Sequence, residues 1–353
     1  MKQLALGFLA LAVASPAAAQ SDPHPTLTVG SITARRGEKV TGVIVVPAGS
    51  DSGYSIPVAI VHGRRPGPVL AIASGAHGTE YASIIAVERL IGELDPARIA
   101  GSVILLPLIN VASFLQKVPH VNPVDYKSMN RFYPGSMTGS QTERASALIT
   151  QQVVEQSDHL IDLHGGDLDE NLRPYSYWTV TGNARQDSLS KGMVLAFGLD
   201  HIIISTDRPK DPAASRYLEN TATTRGKPSI TAEAGRAGRT DAADVGALVK
   251  GSLGVMAYLG MINRTVHFVR RPVWVEKVVT VSSDQTGIFY PLVERDAPVT
   301  VGQKLGYVTD YVGKTIFEAR APAAGRILYV GALPSMRKGE TIANIGILRG
   351  GTP

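Results

Sequence analysis

The chain has 353 residues, of which 44% are hydrophobic, and its formal net charge is +5. It contains no cysteine, so disulfides are excluded and a hydrophobic core must hold the fold, which a chain of this length can build. The sequence has no Lys/Arg run and no interleaving of basic and aromatic residues, so nothing in it indicates a nucleic-acid partner.

The first twenty residues have the pattern of a signal peptide. Met1 and Lys2 form a short positive region, residues 4–13 are apolar, and residues 17–20 offer small side chains for cleavage. The apolar run is too short to span a membrane. We therefore predict a signal peptide at residues 1–20 and an exported, periplasmic protein without a membrane span. The sequence leaves association into a homo-oligomer open.

Residues 21–268 alternate between short apolar runs and helical patterns, which predicts one catalytic domain that begins with β-strands. Predicted strands lie at residues 40–47, 56–61, 69–73, 103–109, 159–164, 201–205 and 229–233. Predicted helices lie at residues 80–95, 142–156, 189–199 and 243–259, with a long loop at 110–139. Strands that alternate with helices indicate an α/β fold with a mostly parallel sheet flanked by helices.

The tail, residues 269–353, has a different pattern. It reads as all-β, and two similar hairpin halves repeat in it, at residues 287–308 and 325–345. We predict a small C-terminal all-β domain of the barrel-sandwich type.

Three short motifs place reactive side chains at or just past the C-terminal ends of predicted strands. They are His77-Gly78-Thr79-Glu80, Asp162-Leu163-His164, and Glu233. In α/β sheets, binding sites lie beyond these strand ends. Two His and one Glu are a known ligand set for a catalytic zinc, with one position left open for water, and a further carboxylate can take a proton from that water.

Each motif also has a simpler structural explanation. The pair His77 and Glu80 is a weak signal by itself. Asp162 lies on the same side of its strand as His164, so it could orient a metal-bound imidazole or make an ordinary strand-end hydrogen bond. Glu233 could form an ion pair with a nearby arginine. The shared location at strand ends favours the functional interpretation.

The order of these motifs resembles the succinylglutamate desuccinylase/aspartoacylase family, which is related to the zinc carboxypeptidases. The resemblance includes Asn130-Arg131 within Asn130-Arg131-Phe132-Tyr133-Pro134-Gly135 and extends over nearly all of the chain after residue 20. It implies hydrolysis of an amide bond in a small N-acylated substrate. It further implies that Asn130 and Arg131 hold a carboxylate of that substrate.

The same resemblance implies one zinc ion (Zn2+) per chain, held by His77, Glu80 and His164, with Glu233 as general base and acid. Asp162 would orient the His164 imidazole without binding the metal itself.

The sequence departs from the family pattern near the expected substrate site. Family members often carry another arginine before Asn-Arg, whereas His120 stands at about that place, with Lys117 nearby. Either residue would supply positive charge, and we expect His120 to contact the substrate. Thr79 and Ser128 stand where acidic or amide residues are usual. These changes leave the metal ligands intact and affect what can be expected of the substrate.

The leading hypothesis is therefore a zinc-dependent deacylase that acts on an N-acyl amino acid or a related small amide with a carboxylate. A carboxypeptidase that acts on peptides would use the same machinery. A carrier or binding module is a third hypothesis, because the β tail resembles biotinyl and lipoyl carriers. Lys314 lies near the corresponding turn but lacks their flanking Met-Lys pattern.

Overall fold

The computed structural model describes Asp22 and residues 24–350. The predicted signal peptide, residues 1–20, lies outside the described residues. Within them, no helix is both long and apolar enough to cross a membrane.

The helices and strands of the described chain follow the alternation seen in the sequence. The helices are α1 (Tyr81–Glu93), α2 (Val111–Gln116), α3 (Gln141–Ile149), α4 (Ala184–Phe197), α5 (Leu218–Thr223) and α6 (Ala242–Tyr258). The first strands are β1 (Thr26–Val29), β2 (Ile32–Arg35), β3 (Glu38–Val46), β4 (Tyr54–His62), β5 (Arg65–Ala73), β6 (Ala100–Leu106), β7 (His159–His164), β8 (Glu170–Leu172), β9 (Tyr175–Thr179), β10 (His201–Ser205) and β11 (Ser229–Glu233). The later strands are β12 (Val273–Ser282), β13 (Gly287–Pro291), β14 (Pro298–Val299), β15 (Lys304–Thr309), β16 (Thr315–Arg320), β17 (Gly325–Gly331), β18 (Ser335–Met336) and β19 (Thr341–Leu348).

A 13-stranded sheet in the order β14-β17-β19-β12-β10-β9-β11-β7-β5-β6-β4-β3, with β8 beside β17, forms the centre of the fold. The α/β prediction is confirmed, but the sheet is mixed rather than mostly parallel. Strands β6, β5, β7 and β11 pair in parallel, whereas β3, β4 and the strands after β12 add antiparallel pairs. The loop between β3 and β4 is too short for a crossover, so these two strands must pair antiparallel.

The central strands are buried on both faces. In β5, Leu70 and Ile72 join the core that includes residues of α1, α4 and α6, while Val69 and Ala71 join a second core with residues of α3 and α5. Side chains alternate along a strand, so an unbroken apolar run is what a strand between two helical layers requires.

The strands of the tail are of two kinds. Strand β12 pairs in parallel with β10 and antiparallel with β19, so it extends the large sheet, whereas β16-β15-β13-β18 form a separate four-stranded sheet. The all-β character of the tail is confirmed. Its barrel-sandwich form and the domain boundary at residue 269 stay predictions.

The long loop predicted at residues 110–139 is partly ordered into helical turns. It contains α2 and a 3-10 turn at Met129–Arg131. Polar side chains fasten it to the start of α3: Asp125 accepts hydrogen bonds from Ser140 and Thr142. Lys127 pairs with Glu143 at 2.5 Å. These contacts fix the segment that carries Asn130 and Arg131.

Arg144 joins α3 to the loop between β3 and β4. Its side chain is 2% exposed and donates to the backbone oxygens of Pro47 at 3.0 Å and Gly139 at 2.6 Å. It also forms an ion pair with Asp51. Burial would raise the pKa of Asp51, but the hydrogen bonds from Arg144 and from the Gln141 backbone lower it.

We expect Arg144→Ala to lower the free energy of unfolding by about 1–3 kcal/mol, because it leaves two carbonyls and the partly buried Asp51 carboxylate without their donor. Urea unfolding followed by circular dichroism measures this loss. Arg89→Ala, on the exposed side of α1, is the matched control and should change stability by no more than about 0.5 kcal/mol. Equal losses in the two variants would show that the Arg144–Asp51 pair contributes no more to the free energy of unfolding than an exposed arginine does.

Candidate active site

Three neighbouring strands end at the same edge of the sheet and supply the predicted reactive groups. Strand β7 lies between β5 and β11 and is parallel to both. His164 is the last residue of β7, and Glu233, the last residue of β11, is its register partner. His77 and Glu80 follow β5 in the turn that leads into α1. Residues far apart in sequence therefore meet at one point.

The Glu80 carboxylate lies between two imidazoles. His77 Nδ1 donates to Oε1 at 2.6 Å, and His164 Nδ1 donates to Oε2 at 2.8 Å. The Gly165 N–H also donates to Oε2, at 3.0 Å. One ligand atom from each of His77, Glu80 and His164 lies within 4.8 Å of the others, so the three could hold a metal ion.

The far side of the His164 ring is also held. Asn130 Nδ2 lies 2.7 Å from His164 Nε2, and Asp162 Oδ1 lies 3.3 Å from the same nitrogen. Asp162 Oδ1 is buried and has no hydrogen-bond partner among the described residues. A metal on Nδ1 would move the ring proton to Nε2, and this oxygen is placed to accept it. The donor set and this acceptor thus fit a metal bound by two His and one Glu.

The same contacts set the charges of the group. Burial alone would raise the pKa of Glu80, but His164 and His77 hold it well below its usual range. Burial alone would lower the pKa of His164, but Glu80 and Asp162 raise it well above its usual range. Glu80 is thus held as a carboxylate between the two rings.

Glu233 has a different environment. Burial raises its pKa to about 7, and the nearby Glu80 carboxylate acts in the same direction, while His164 opposes it. The Tyr175 hydroxyl donates to Glu233 Oε2 at 3.1 Å. Glu233 forms no ion pair within the described part of the chain.

The arginines that follow Glu233 in the sequence have another partner. Arg236 and Arg239 both pair with Asp241, at 2.9 Å and 3.0 Å. The simpler explanation of Glu233 as half of an ion pair with one of them is therefore wrong.

The predicted metal ligands His77, Glu80 and His164 line one cavity of about 840 Å³ together with Asp162 and Glu233. Strands β7, β9, β10 and β11 contribute part of the lining. The tail contributes Lys277 and Thr280 of β12, Tyr329 of β17 and Asn344 of β19. The cavity is thus completed by strands that the sequence assigned to a separate domain.

Two guanidinium groups lie against one aromatic ring in the cavity. Arg131 Cζ is 5.0 Å from the centroid of Tyr217, and Arg208 Cζ is 3.9 Å from it. Arg131 Nη1 also donates to the Asn130 carbonyl at 2.6 Å. Arg208 Nε lies 3.4 Å from Glu219 Oε1. Arg131 and Arg208 can together attract an anion, because a guanidinium group that stacks on a ring keeps its in-plane donors available.

The structure places His120 and Lys117 differently from the other predicted residues. His120 stands beside His77, with ring centroids 6.0 Å apart, but it is not among the residues that line the cavity. Its Nε2 donates to Asp169 at 2.8 Å. Burial alone would lower the pKa of His120, but that hydrogen bond raises it to about 9. Lys117 is exposed and also lies off the cavity lining, so contact of either residue with substrate stays a prediction.

Sequence reasoning missed several residues of the cavity because it did not predict β8, β9 or α5. Tyr175 and Tyr177 are two apart on β9 and face the same side, a spacing that could have indicated the strand. Glu170, on β8, and Arg208, in the segment after β10, have no pattern around them that marks them out.

Comparison with known proteins gives consistent results. Residues 66–259 match the model of the succinylglutamate desuccinylase/aspartoacylase catalytic domain. The chain is 27% identical over 315 residues to the N-alpha-acetyl-L-2,4-diaminobutyric acid deacetylase of Halomonas elongata, and the match covers 86% of this chain and 90% of that protein.

Solved structures agree in fold. The product-bound ectoine utilization protein EutE (DoeB) of Ruegeria pomeroyi superposes with a TM-score of 0.81 at 21% identity, covering 93% of this chain and all (100%) of that one. A succinylglutamate desuccinylase/aspartoacylase of Rhodobacter sphaeroides gives 0.78 at 21% identity, covering 89% of this chain and 96% of that one. Since the family match extends over more than half of the chain, this protein belongs to the succinylglutamate desuccinylase/aspartoacylase family.

Proposed function

We propose that the protein is an exported, zinc-dependent amidohydrolase that removes the acyl group from an N-acylated amino acid with a free carboxylate. The main support is the meeting of His77, Glu80 and His164 in one cavity with a separate carboxyl group, Glu233. The relative from Halomonas elongata is named as a deacetylase of an N-acetylated amino acid, which supports amide hydrolysis. We further propose a fold relationship to the zinc carboxypeptidases.

A zinc ion held by His77, Glu80 and His164 would supply a Lewis acid that polarises the scissile carbonyl and makes a water molecule acidic enough to attack. Asp162 and Asn130 hold the His164 ring in place. Glu233 takes the proton from the attacking water and delivers it to the leaving nitrogen, a role suited to a carboxyl group whose pKa lies near 7. Tyr175 orients this carboxyl group through its hydrogen bond.

The substrate is recognised by the guanidinium groups of Arg131 and Arg208, which stack on Tyr217. Arg131 lies on this ring and makes only one side-chain hydrogen bond within the described residues, to the Asn130 carbonyl, so its other donors can bind a carboxylate. Asn130 assists by fixing that segment against His164. Export to the periplasm is part of the proposal and depends on the sequence of residues 1–20.

A screen of the metal-loaded protein against N-acyl amino acids and short peptides, scored by released amine, tests the function. Release from N-acyl amino acids supports the proposal. Release from peptides alone would favour the carboxypeptidase hypothesis, and no release from any amide would contradict both.

We expect His164→Ala to lose the metal while the protein stays folded, because one of three protein ligands is removed and the two hydrophobic cores are untouched. Metal content after dialysis, measured together with circular dichroism, checks this. His267→Ala, at an exposed position, is the control and should keep its metal. Full metal occupancy in His164→Ala would refute the ligand assignment.

Glu233→Gln should retain the metal and lose turnover by ~10²–10⁴-fold, since an amide cannot accept the proton of the attacking water. Single-turnover rates and metal content are measured on the same preparation. A metal-replete variant with near-native turnover would show that Glu233 is not the base.

Arg131→Ala should lower kcat/KM by about one to two decades, the equivalent of roughly 1.5–3 kcal/mol for a lost charge-assisted contact. The loss should shrink when the substrate carboxylate is replaced by a neutral amide. Arg131→Lys should also lose activity, because an ammonium cannot reproduce the bidentate fork.

Arg185→Ala, exposed on α4, provides the control for the charge change. If Arg131→Ala slows acidic and neutral substrates equally, Arg131 acts on the loop or the reaction centre and the carboxylate assignment fails.

A further inference from the structure

The turn that carries two of the proposed metal ligands has no side-chain cap of its own. Glu80 is the N-cap residue of α1 but makes no side-chain capping hydrogen bond. Its carboxylate faces His77 and His164 instead. Since a helix start without a cap leaves backbone N–H groups unpaired, contacts with other segments must fix the orientation of this turn.

Two such contacts are present. The Gly78 N–H donates to Ser113 Oγ of α2 at 2.9 Å. Thr79 Oγ1 donates to Asp167 Oδ1, and both of these residues are 0% exposed. Thr79 lies between the two metal ligands in the chain, so its hydrogen bond restrains the backbone that joins them.

Asp167 is a buried carboxyl group that the proposed mechanism does not use. Besides the Thr79 hydroxyl, it accepts from the Leu168 N–H at 2.7 Å and from the His120 N–H at 2.9 Å. No Lys or Arg of the described chain forms an ion pair with it, and the His120 ring approaches it with Nδ1 at 3.4 Å. A buried carboxylate is unfavourable unless hydrogen bonds satisfy it, so Asp167 and its donors hold one another in place.

The place of Asp167 in the chain closes a ring of contacts around the site. It follows His164 by three residues, so the segment that leaves β7 carries one metal ligand and also the acceptor for the turn with the other two. The same carboxylate holds the backbone of His120 in a left-handed conformation, with a φ of 62°. The His120 ring is held by Asp169 and stands beside His77.

We propose that Asp167 is a positioning residue for the metal site and that it acts through Thr79, which it holds in the turn between two of the metal ligands. The inference rests on the proposed function, because that proposal assigns the ligands. Asp167 is not among the residues that line the cavity, so it acts on the turn and not on the substrate.

The test is the affinity for Zn2+ of variants at position 79, measured by competition with a chelator on protein whose fold is checked by circular dichroism. Thr79→Val keeps the shape of the side chain and removes the donor. It should weaken zinc binding by about 10- to 100-fold, the range for loss of a group that orients a metal ligand. Thr79→Ser keeps the hydroxyl and should bind zinc nearly as tightly as the wild type. Wild-type affinity in Thr79→Val overturns the inference.

Thr181→Val is the matched control. Thr181 Oγ1 donates to Asp187 Oδ1 at 2.7 Å near the start of α4, and neither residue lines the cavity. The control also breaks a hydrogen bond between a threonine and a carboxylate, so a general loss of stability would affect both variants. Zinc affinity should fall in Thr79→Val alone. An equal fall in both variants would show that lost stability is the cause and would overturn the inference.

A double-mutant cycle tests the link between the two residues. Asp167→Asn should weaken zinc binding at least as much as Thr79→Val, and the combined variant should lose little more than Asp167→Asn alone, because both changes remove one interaction. Losses that multiply would show that the residues act independently, which contradicts the proposal.

Should Thr79→Val fail to fold, Thr79→Ala takes its place. It removes the same donor without a methyl group against the Asp167 carboxylate, and the same loss of zinc affinity is expected. The variants at position 79 decide alone if Asp167→Asn does not fold.

Turnover separates this inference from the proposed function. At saturating zinc, Thr79→Val should lower kcat and leave KM nearly unchanged, since Asn130 and Arg131 are not altered; a rise in KM alone would contradict the role of Asp167. If the wild type binds zinc but hydrolyses no amide, the proposed function fails, whereas the zinc affinities still decide the inference. If amides are hydrolysed and Thr79→Val binds zinc as tightly as the wild type, only the inference fails. A wild type that binds no zinc overturns both.

Discussion

The site depends on the hydrogen bonds that the buried Glu80 carboxylate accepts from His77 and His164. This carboxylate links the turn after β5 to the end of β7, because His77 and His164 donate to its two oxygens from opposite sides. A carboxylate this far from solvent is unfavourable unless its partners neutralise it and fill its lone pairs. His77, His164 and the Gly165 N–H all donate to it, and these contacts bring together the three groups that could hold a metal.

The sheet makes this convergence possible. Parallel strands carry their C-terminal ends to the same edge, so β5, β7 and β11 deliver side chains to one point although helices and loops separate them along the chain. Asp162, two residues before His164, then lies behind the ring, on the face of β7 opposite Ile161 and Leu163. The mixed character of the sheet adds a second effect. Because β9 runs antiparallel to β11, Tyr175 is the register partner of Glu233 and can donate to it.

The tail is part of the same sheet, and this determines the shape of the cavity. Strand β12 continues the large sheet beyond β10, and β19 and β17 follow it, so Lys277, Tyr329 and Asn344 line the same cavity as the residues at the strand ends.

The sequence by itself determined the alternation of strands and helices, the order of the motifs and the identity of His77, Glu80, His164 and Glu233 as a candidate group. These follow from local pattern, since an apolar run predicts a buried strand and a site residue at its end predicts an edge location. Only the tertiary structure decided which distant groups meet. The antiparallel strand β9, the approach of β12 and β17, and the placement of Glu170 and Arg208 in the cavity depend on pairing between segments far apart in the chain. His120 illustrates the same limit: the sequence does not show that its ring pairs with Asp169, 49 residues away, or that it lies beside His77.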